Sequence, residues 1–270
     1  MAKALVTGGA GFIGSHIVDA LLARGDSVVV LDDLSTGKKE NLSHVWDKIT
    51  FIEGTITDSA LVMRAAEDIS VIFHQAAIAS IQKSVDDPWG THDTNVNGTL
   101  HVFSAAARNK ATVVYASSCA VYGDSPELPK REDMPRGPKT PYAVHKSIME
   151  EYARVYGEIH GLHAIGLRYF NVFGSRQDAS SPYSGVISLF NKKISKGEPI
   201  TIYGDGEATR DFIYISDIVL ANLLAAEKGK AGDVYNIGTG KETSLKDLVK
   251  VLETVHALLA EVAHGPERKG

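Results

Sequence analysis

Apolar residues recur with two different periods along this 270-residue chain. Short β-branched runs at Ala4–Thr7, Val28–Asp32, Thr50–Glu53, Val71–Gln75, Thr112–Ser117 and Ala164–Tyr169 read as strands. Between them, residues 12–24, 58–67, 94–109 and 142–159 place apolar side chains three and four apart, which predicts helices. Nearly continuous apolar strands alternating with amphipathic helices predict a doubly wound α/β fold, with a parallel sheet covered on both faces and right-handed crossovers.

The rhythm changes after residue 170. The Gly/Ser/Pro-rich stretch 171–185 reads as loop. A helix over 186–197, a strand Thr201–Tyr203, a Gly204-Asp205-Gly206 turn, a strand Phe212–Ile215, a helix 217–228 and a strand Val234–Ile237 follow. A last helix is predicted over 244–263, with Leu245, Leu248, Leu252, Val255 and Leu259 on one stripe. The expected organisation is a nucleotide-binding domain of residues 1–170, to which 211–240 returns, and a smaller α/β lobe of 171–210 and 241–270.

Composition narrows the functional classes. With 44% hydrophobic and 23% charged residues the chain can bury a large core. A net charge of −5 argues against nucleic acid as a general partner. The single cysteine, Cys119, excludes an internal disulfide and fits a reducing, cytoplasmic setting. No apolar run approaches the roughly 18 residues of a membrane span, and the first residues do not read as a signal peptide. No metal site is expected.

The first strand runs directly into 7-TGGAGFIGSH-16, where Gly9, Gly11 and Gly14 match G-x-G-x-x-G and Gly8 precedes them. Glycines there permit a tight turn, bring backbone close to a pyrophosphate and let the following helix pack on the strand. Strand, turn, helix and second strand fall in order, so the Rossmann dinucleotide reading outweighs a plain Gly-rich turn. Asp32 ends the second strand, where a carboxylate can accept from a ribose 2′-OH. The same charge would repel a 2′-phosphate, which favours NAD over NADP; Lys38 and Lys39 are loop lysines that solvation accounts for.

Two further motifs carry chemistry. The run 115-YASSCAVYG-123 ends a strand in a serine pair, and 142-YAVHK-146 places Tyr142 and Lys146 on one helix face. A free tyrosine titrates near pH ~10, too high for an efficient base at neutral pH, and a neighbouring ammonium or oxidised nicotinamide ring would lower it. Ser118 would sit at the carboxyl edge of the sheet and hold a substrate oxygen beside Tyr142. Alone, Y-x-x-x-K is often a packing tyrosine with a solvated lysine; behind a dinucleotide fingerprint and an S-S-x-x-x-Y-G strand end it reads as catalytic.

Together with 74-HQAA-77, 95-NVNGT-99, 168-RYFNVFG-174, 209-TRDFIYISD-217 and 235-YNIGTG-240, these motifs resemble the extended short-chain dehydrogenase/reductases of the NAD-dependent epimerase/dehydratase family. The chain is most similar to the branch of UDP-hexose 4-epimerases. That resemblance implies an isomerase with Ser118, Tyr142 and Lys146 as its catalytic set. It implies that Gly8, Gly11, Phe12, Ile13, Gly14, Asp32, Asp33, Ser35, Thr36, Asp58, Ala76, Asn95, Tyr142 and Tyr169 lie along NAD, with Lys146 also on the nicotinamide ribose. Asn171, Val186, Thr201, Tyr203 and Arg210 would face a UDP-sugar, Arg210 on the pyrophosphate unless it pairs with Asp211. The family's adenine-contacting Asp is replaced by Thr55 in 53-EGTITD-58. A homodimer through the helices of 94–109 and 142–159 is also implied, with Ile148, Met149, Tyr152 and Tyr156 on its face.

The same resemblance bears on the reaction. Related 4,6-dehydratases carry an Asp-Glu pair after the catalytic hydroxyl residue, and related decarboxylases a Glu in that turn; here Cys119 and Ala120 stand there. GDP-fucose-synthase-like enzymes use a Cys in this turn, but the preference for NAD argues against a net NADPH reduction. That leaves 4-epimerisation, with UDP-glucuronate 4-epimerase-like chemistry or a non-catalytic NAD sensor as alternatives. The stretch 181-SPYSG-185 leans toward N-acetylated sugars. Finally, Arg268-Lys269-Gly270 match the start of the family's R-x-G-D element, whose Arg touches the pyrophosphate. The sequence stops where its Asp would stand, so weakened UDP-sugar binding and poor turnover are expected.

Overall fold

Burial follows the two periods. A computed structural model describes residues 2–178 and 185–266. In chain order the elements are β1 (Lys3–Thr7), α1 (Phe12–Ala23), β2 (Ser27–Asp32), β3 (Ile49–Glu53), α2 (Ser59–Ala65), β4 (Val71–His74), α3 (Ile81–Asp86), α4 (Pro88–His92), α5 (Gly98–Asn109), β5 (Thr112–Ser118), α6 (Pro141–His160) and β6 (His163–Tyr169). Then come β7 (Asn171–Phe173), α7 (Val186–Ile194), β8 (Ile200–Tyr203), β9 (Thr209–Arg210), β10 (Phe212–Tyr214), α8 (Ile215–Lys228), β11 (Val234–Ile237), β12 (Thr243–Ser244), α9 (Leu245–His256) and β13 (Val262–Gly265). A 3₁₀ turn, Cys119–Tyr122, follows β5, and a π-helical turn, Asp93–Asn97, precedes α5.

The chain divides into two units, Met1–Tyr169 with Ser216–Ile237, and Phe170–Ile215 with Gly238–Gly270. The first holds a seven-stranded sheet ordered β11-β6-β5-β4-β1-β2-β3, every neighbouring pair parallel. One face is packed by α2, α5 and α6 through Val62, Phe103, Ala106, Met149 and Ala153, against Leu5, Leu31, Ile72, Val113 and Tyr115 of the strands. Strand side chains alternate between faces; Val6, Val30 and Phe73 are also fully buried, and α1 packs on β1 and β2 through Ile17, Val18 and Leu21. The crossover direction reverses between β1 and β4, the switch point where open α/β sheets bind ligands.

The second unit has its own core of Phe190, Ile194, Ile200, Ile202, Leu248, Val249 and Leu252. Its strands form two-stranded pairs: β7 with β10, β9 with β12, and β8 with β13.

Three expectations need correction. The returning segment is 216–237, because β10 pairs with β7 inside the second unit instead of rejoining the large sheet. The same pairing makes Asn171–Phe173 a strand where loop was expected. The last helix stops at His256: Ala257 takes a left-handed φ of 51° that ends the turn, and Val262–Gly265 pairs with β8. Leu259 lies beyond the helix and Val255 on its outer side, and both are exposed, not part of the buried stripe. Among the described residues no helix is long and apolar enough to cross a membrane.

Candidate functional site

The loop after β1 is too tight for a side chain at Gly8 and Gly14. Gly8 has φ +69°, and a Cβ there would lie 2.6 Å from the Ala76 nitrogen, on the loop that follows β4. A Cβ on Gly14 would lie 2.2 Å from the Gly8 carbonyl, so α1 packs against its own entry turn. Gly11 is the N-cap of α1, without a side-chain cap and without an acid in the first turn. The uncapped N–H groups of Phe12, Ile13 and Gly14 suit an anion such as a dinucleotide pyrophosphate. Gly14→Ala should lower the melting temperature and weaken NAD binding together, since neither backbone can yield; overpacking of this kind costs about 1–3 kcal/mol. A thermal melt and an NAD titration matching the wild type would refute this.

Asp32, at the carboxyl end of β2, is buried, and its Oδ2 and Oδ1 accept from the Ala10 and Leu34 amides at 2.9 and 2.8 Å. Burial raises its pKa, while the two amide bonds oppose that rise. It thereby joins the glycine loop to the loop after β2, and each oxygen keeps a lone pair for a ribose hydroxyl. Asp33 is exposed and folds the next turn by accepting from the Ser35 amide and hydroxyl at 2.9 and 2.6 Å, with Ser35 and Thr36 exposed beside it. Asp58 acts locally as the N-cap of α2, accepting from the Leu61 amide at 2.9 Å. Asn95 is fully buried and clamps Ile78, accepting from its amide at 2.8 Å and donating to its carbonyl at 3.0 Å. It thus shapes the loop that carries Ala76.

The catalytic candidates meet at the end of β5. Ser118 is the last residue of that strand, and Tyr142 and Lys146 lie on the first turns of α6. Thr140 caps α6 by accepting from the Ala143 amide at 3.2 Å, and Pro141 takes a position that needs no N–H donor. Buried Ser84 of α3 accepts from the Tyr142 amide at 3.1 Å, which fixes the entry of the helix. Burial pushes the Tyr142 hydroxyl up to about 12, a hydrogen bond from Ser118 opposes this, and the neighbouring Cys119 adds to the rise. The Lys146 ammonium lies 5.7 Å from the Tyr142 ring centroid and donates to the Ala116 carbonyl at 2.7 Å. Lys146 is only 2% exposed, and burial lowers its pKa to about 8. Burial thus works against Tyr142 as a base even with the Lys146 ammonium nearby, and a hydride acceptor with a cationic ring would add further positive charge.

One buried polar group, around His74, escaped the sequence reading. Buried His74 stands between the Thr7 and Thr99 hydroxyls at 2.7 and 3.0 Å, and burial followed by the Lys146 charge holds its pKa down at about 3. Thr99 donates onward to the Asn95 carbonyl at 2.6 Å, so His74 donates from Nε2 and accepts at Nδ1. Its presence in 74-HQAA-77 was the only signal. Tyr169 ends β6, and its hydroxyl is committed: it donates to Gln75 at 3.3 Å and accepts from Asn222 at 2.7 Å. Burial pushes it to about 12.

The second unit carries the residues expected to face a sugar nucleotide. Asn171 opens β7 and donates to the Asp211 carbonyl from both its amide and its side chain, at 3.0 and 3.1 Å. Val186 opens α7, and Thr201 and Tyr203 lie two apart on β8. Arg210 is exposed and donates to the Thr209 carbonyl at 2.8 Å. Its neighbour Asp211 is not its ion partner: that carboxylate accepts from the Thr239 amide and hydroxyl and the Gly240 amide at 2.7–2.9 Å. Arg268 and most of 181-SPYSG-185 lie outside the described residues.

The chain is similar to known proteins along nearly its whole length. The family described as NAD dependent epimerase/dehydratase matches residues 4–238. The putative UDP-glucose 4-epimerase of Methanocaldococcus jannaschii is 40% identical over 269 residues, 98% of this chain and 86% of its own length. The UDP-N-acetylglucosamine 4-epimerase of Methanobrevibacter ruminantium, solved with UDP-N-acetylmuramic acid, superposes with a TM-score of 0.96 at 40% identity, covering 100% of this chain and 86% of that one. The UDP-glucose 4-epimerase of Thermus thermophilus, solved with NAD, gives 0.91 at 39% identity, covering 99% and 88%.

Proposed function

The chain belongs to the NAD-dependent epimerase/dehydratase family, and on that premise we propose that it inverts C4 of a UDP-hexose through a transient 4-keto sugar. The observation that carries this reading is the buried Lys146 ammonium 5.7 Å from the Tyr142 ring on α6, with Ser118 ending β5. NAD is the cofactor; Asp32 and the N–H groups at the start of α1 would hold it, and when bound it would supply a reversible hydride acceptor for C4. Tyr142 takes the proton of the 4-hydroxyl as the ketone forms and gives it back when hydride returns to the opposite face, so no net redox change remains. Ser118 holds the sugar oxygen beside Tyr142. Lys146 keeps positive charge near the Tyr142 ring, which favours the tyrosinate. Cys119 and Ala120 fill the 3₁₀ turn after Ser118, so this turn offers no carboxylate for removing water or carbon dioxide.

On this reading Arg210, with no carboxylate claim from Asp211, is a fork for the UDP pyrophosphate. The direct test offers the protein UDP-glucose and UDP-N-acetylglucosamine and follows the C4 epimers by proton NMR. Inversion of either supports the reading. Reduced-nicotinamide absorbance without any epimer would turn it toward a different oxidoreduction, and the absence of both toward a dinucleotide-binding role without turnover.

A homodimer is part of the proposal. Val144, Ile148, Tyr152 and Val155 of α6 line a groove of about 640 Å³ together with Arg136 and Pro138. Met149 and Tyr156, expected on that face, instead serve the chain's own core against α5. Light scattering at micromolar concentration should give twice the chain mass; a monomeric mass would remove the idea.

A further inference from the structure

Ser117, beside the catalytic candidate Ser118, faces the opposite way and is buried. Its hydroxyl donates to Glu150 Oε1 at 2.6 Å. Glu150 is itself only 6% exposed, yet its carboxylate is fully used: Oε1 also accepts from Arg168 Nε at 2.9 Å, and Oε2 accepts from Arg168 at 2.8 Å and Arg136 at 3.2 Å. Arg168 stands directly opposite Ser117 in the β5–β6 register, as Tyr169 stands opposite Ser118.

Tyr142, Lys146 and Glu150 follow one another at intervals of four on α6, so they share one face. Two of them fasten residues at the end of β5. Lys146 holds the Ala116 carbonyl and Glu150 holds Ser117, while Tyr142 opens the same face beside the strand end. Ser118 is the last residue of its strand, opposite Tyr169 of β6, and its hydroxyl accepts from the Ala120 amide at 3.2 Å in the turn that follows. A buried ion pair is by itself a weak stabiliser, because desolvation offsets most of its attraction. Its value here lies in where it fastens the chain.

We propose that Ser117 and Glu150 are positioning residues: through the end of β5 they hold the Ser118 hydroxyl against Tyr142, and so set the basicity of Tyr142. The inference rests on the reading that Ser118 and Tyr142 carry the reaction. Arg168 balances the Glu150 charge, and Arg136 closes the carboxylate from the side of the α6 groove.

The test compares wild type, Ser117→Ala and Ser117→Thr as NAD-loaded proteins. Ser117→Ala removes the tie and leaves the Glu150–Arg168 pair whole; Ser117→Thr restores a hydroxyl. Tyrosinate absorbance is titrated against pH, with Tyr142→Phe subtracted to isolate Tyr142. Ser117→Ala should raise the Tyr142 pKa by about one unit, the equivalent of one ordinary hydrogen bond, and lower kcat about tenfold with KM little changed. Ser117→Thr should return both toward wild type. Should Ser117→Ala not be recovered folded, Ser117→Cys, of similar size and a weak donor, should give a shift in the same direction. An unshifted Tyr142 titration in these variants overturns the inference whatever the activity. Absence of epimerisation by the wild type would instead overturn the activity reading, since the titration does not depend on turnover.

Discussion

Tyr142→Phe is expected to cut epimerisation by about 10³-fold or more, at the upper part of the range for losing a general base. The substitution deletes one oxygen and keeps the ring, so the place of the ring beside Lys146 is retained. NAD binding should survive, because the glycine loop, Asp32 and the uncapped start of α1 are untouched. Ser118→Ala should cost less, since Tyr142 keeps its own proton-accepting oxygen. A Tyr142→Phe protein with wild-type turnover would show that the base is elsewhere, and a larger loss in Ser118→Ala would reverse the two roles.

Lys146→Met should separate activity from stability. Turnover should fall by about 10²-fold or more, because the cation that favours the tyrosinate is gone. Stability should change in a pH-dependent way. The folded-state pKa of Lys146 is about 8, below the ordinary lysine value of ~10.4, because the buried ammonium is poorly solvated. Between these values the unfolded chain holds a proton that the folded one has released, so raising the pH through this window stabilises the wild type. The penalty for burying the charge is therefore fully present below about pH 8 and fades toward ~10. Methionine carries no such penalty, although it leaves the Ala116 carbonyl without its donor. The melting temperature of Lys146→Met relative to wild type, both free of nucleotide, should thus be higher at pH 7 than at pH 10. A difference that is flat with pH, or that grows as pH rises, would mean that Lys146 is not a desolvated cation in the fold.

The two predictions differ in how far the sequence reached. The spacing of Tyr142 and Lys146 showed that they share a helix face, and the strand-end serines suggested where that face points. The basicity of each group was out of reach, because it depends on burial that no spacing reports. Glu150 and Arg168 were invisible for a related reason. A polar residue inside an amphipathic helix or a strand reads as a solvated position. Their carboxylate–guanidinium pair forms between positions 18 apart in sequence, and Ser117 joins from 33 away. Asp58 shows the converse, an acid in a family-like motif whose visible role is to cap α2.

By itself the sequence determined the parallel α/β sheet, the dinucleotide loop after β1 and the carboxylate ending β2. Each rests on local rules: apolar period, the steric freedom of glycine and the length of a strand. The tertiary structure alone decided that β10 joins β7, that the last helix yields to a strand paired with β8, and that one face of α6 fastens Ala116 and Ser117 of β5. Strand partners and buried ion pairs are selected by distant backbone and by desolvation, and neither leaves a periodic trace in a single chain.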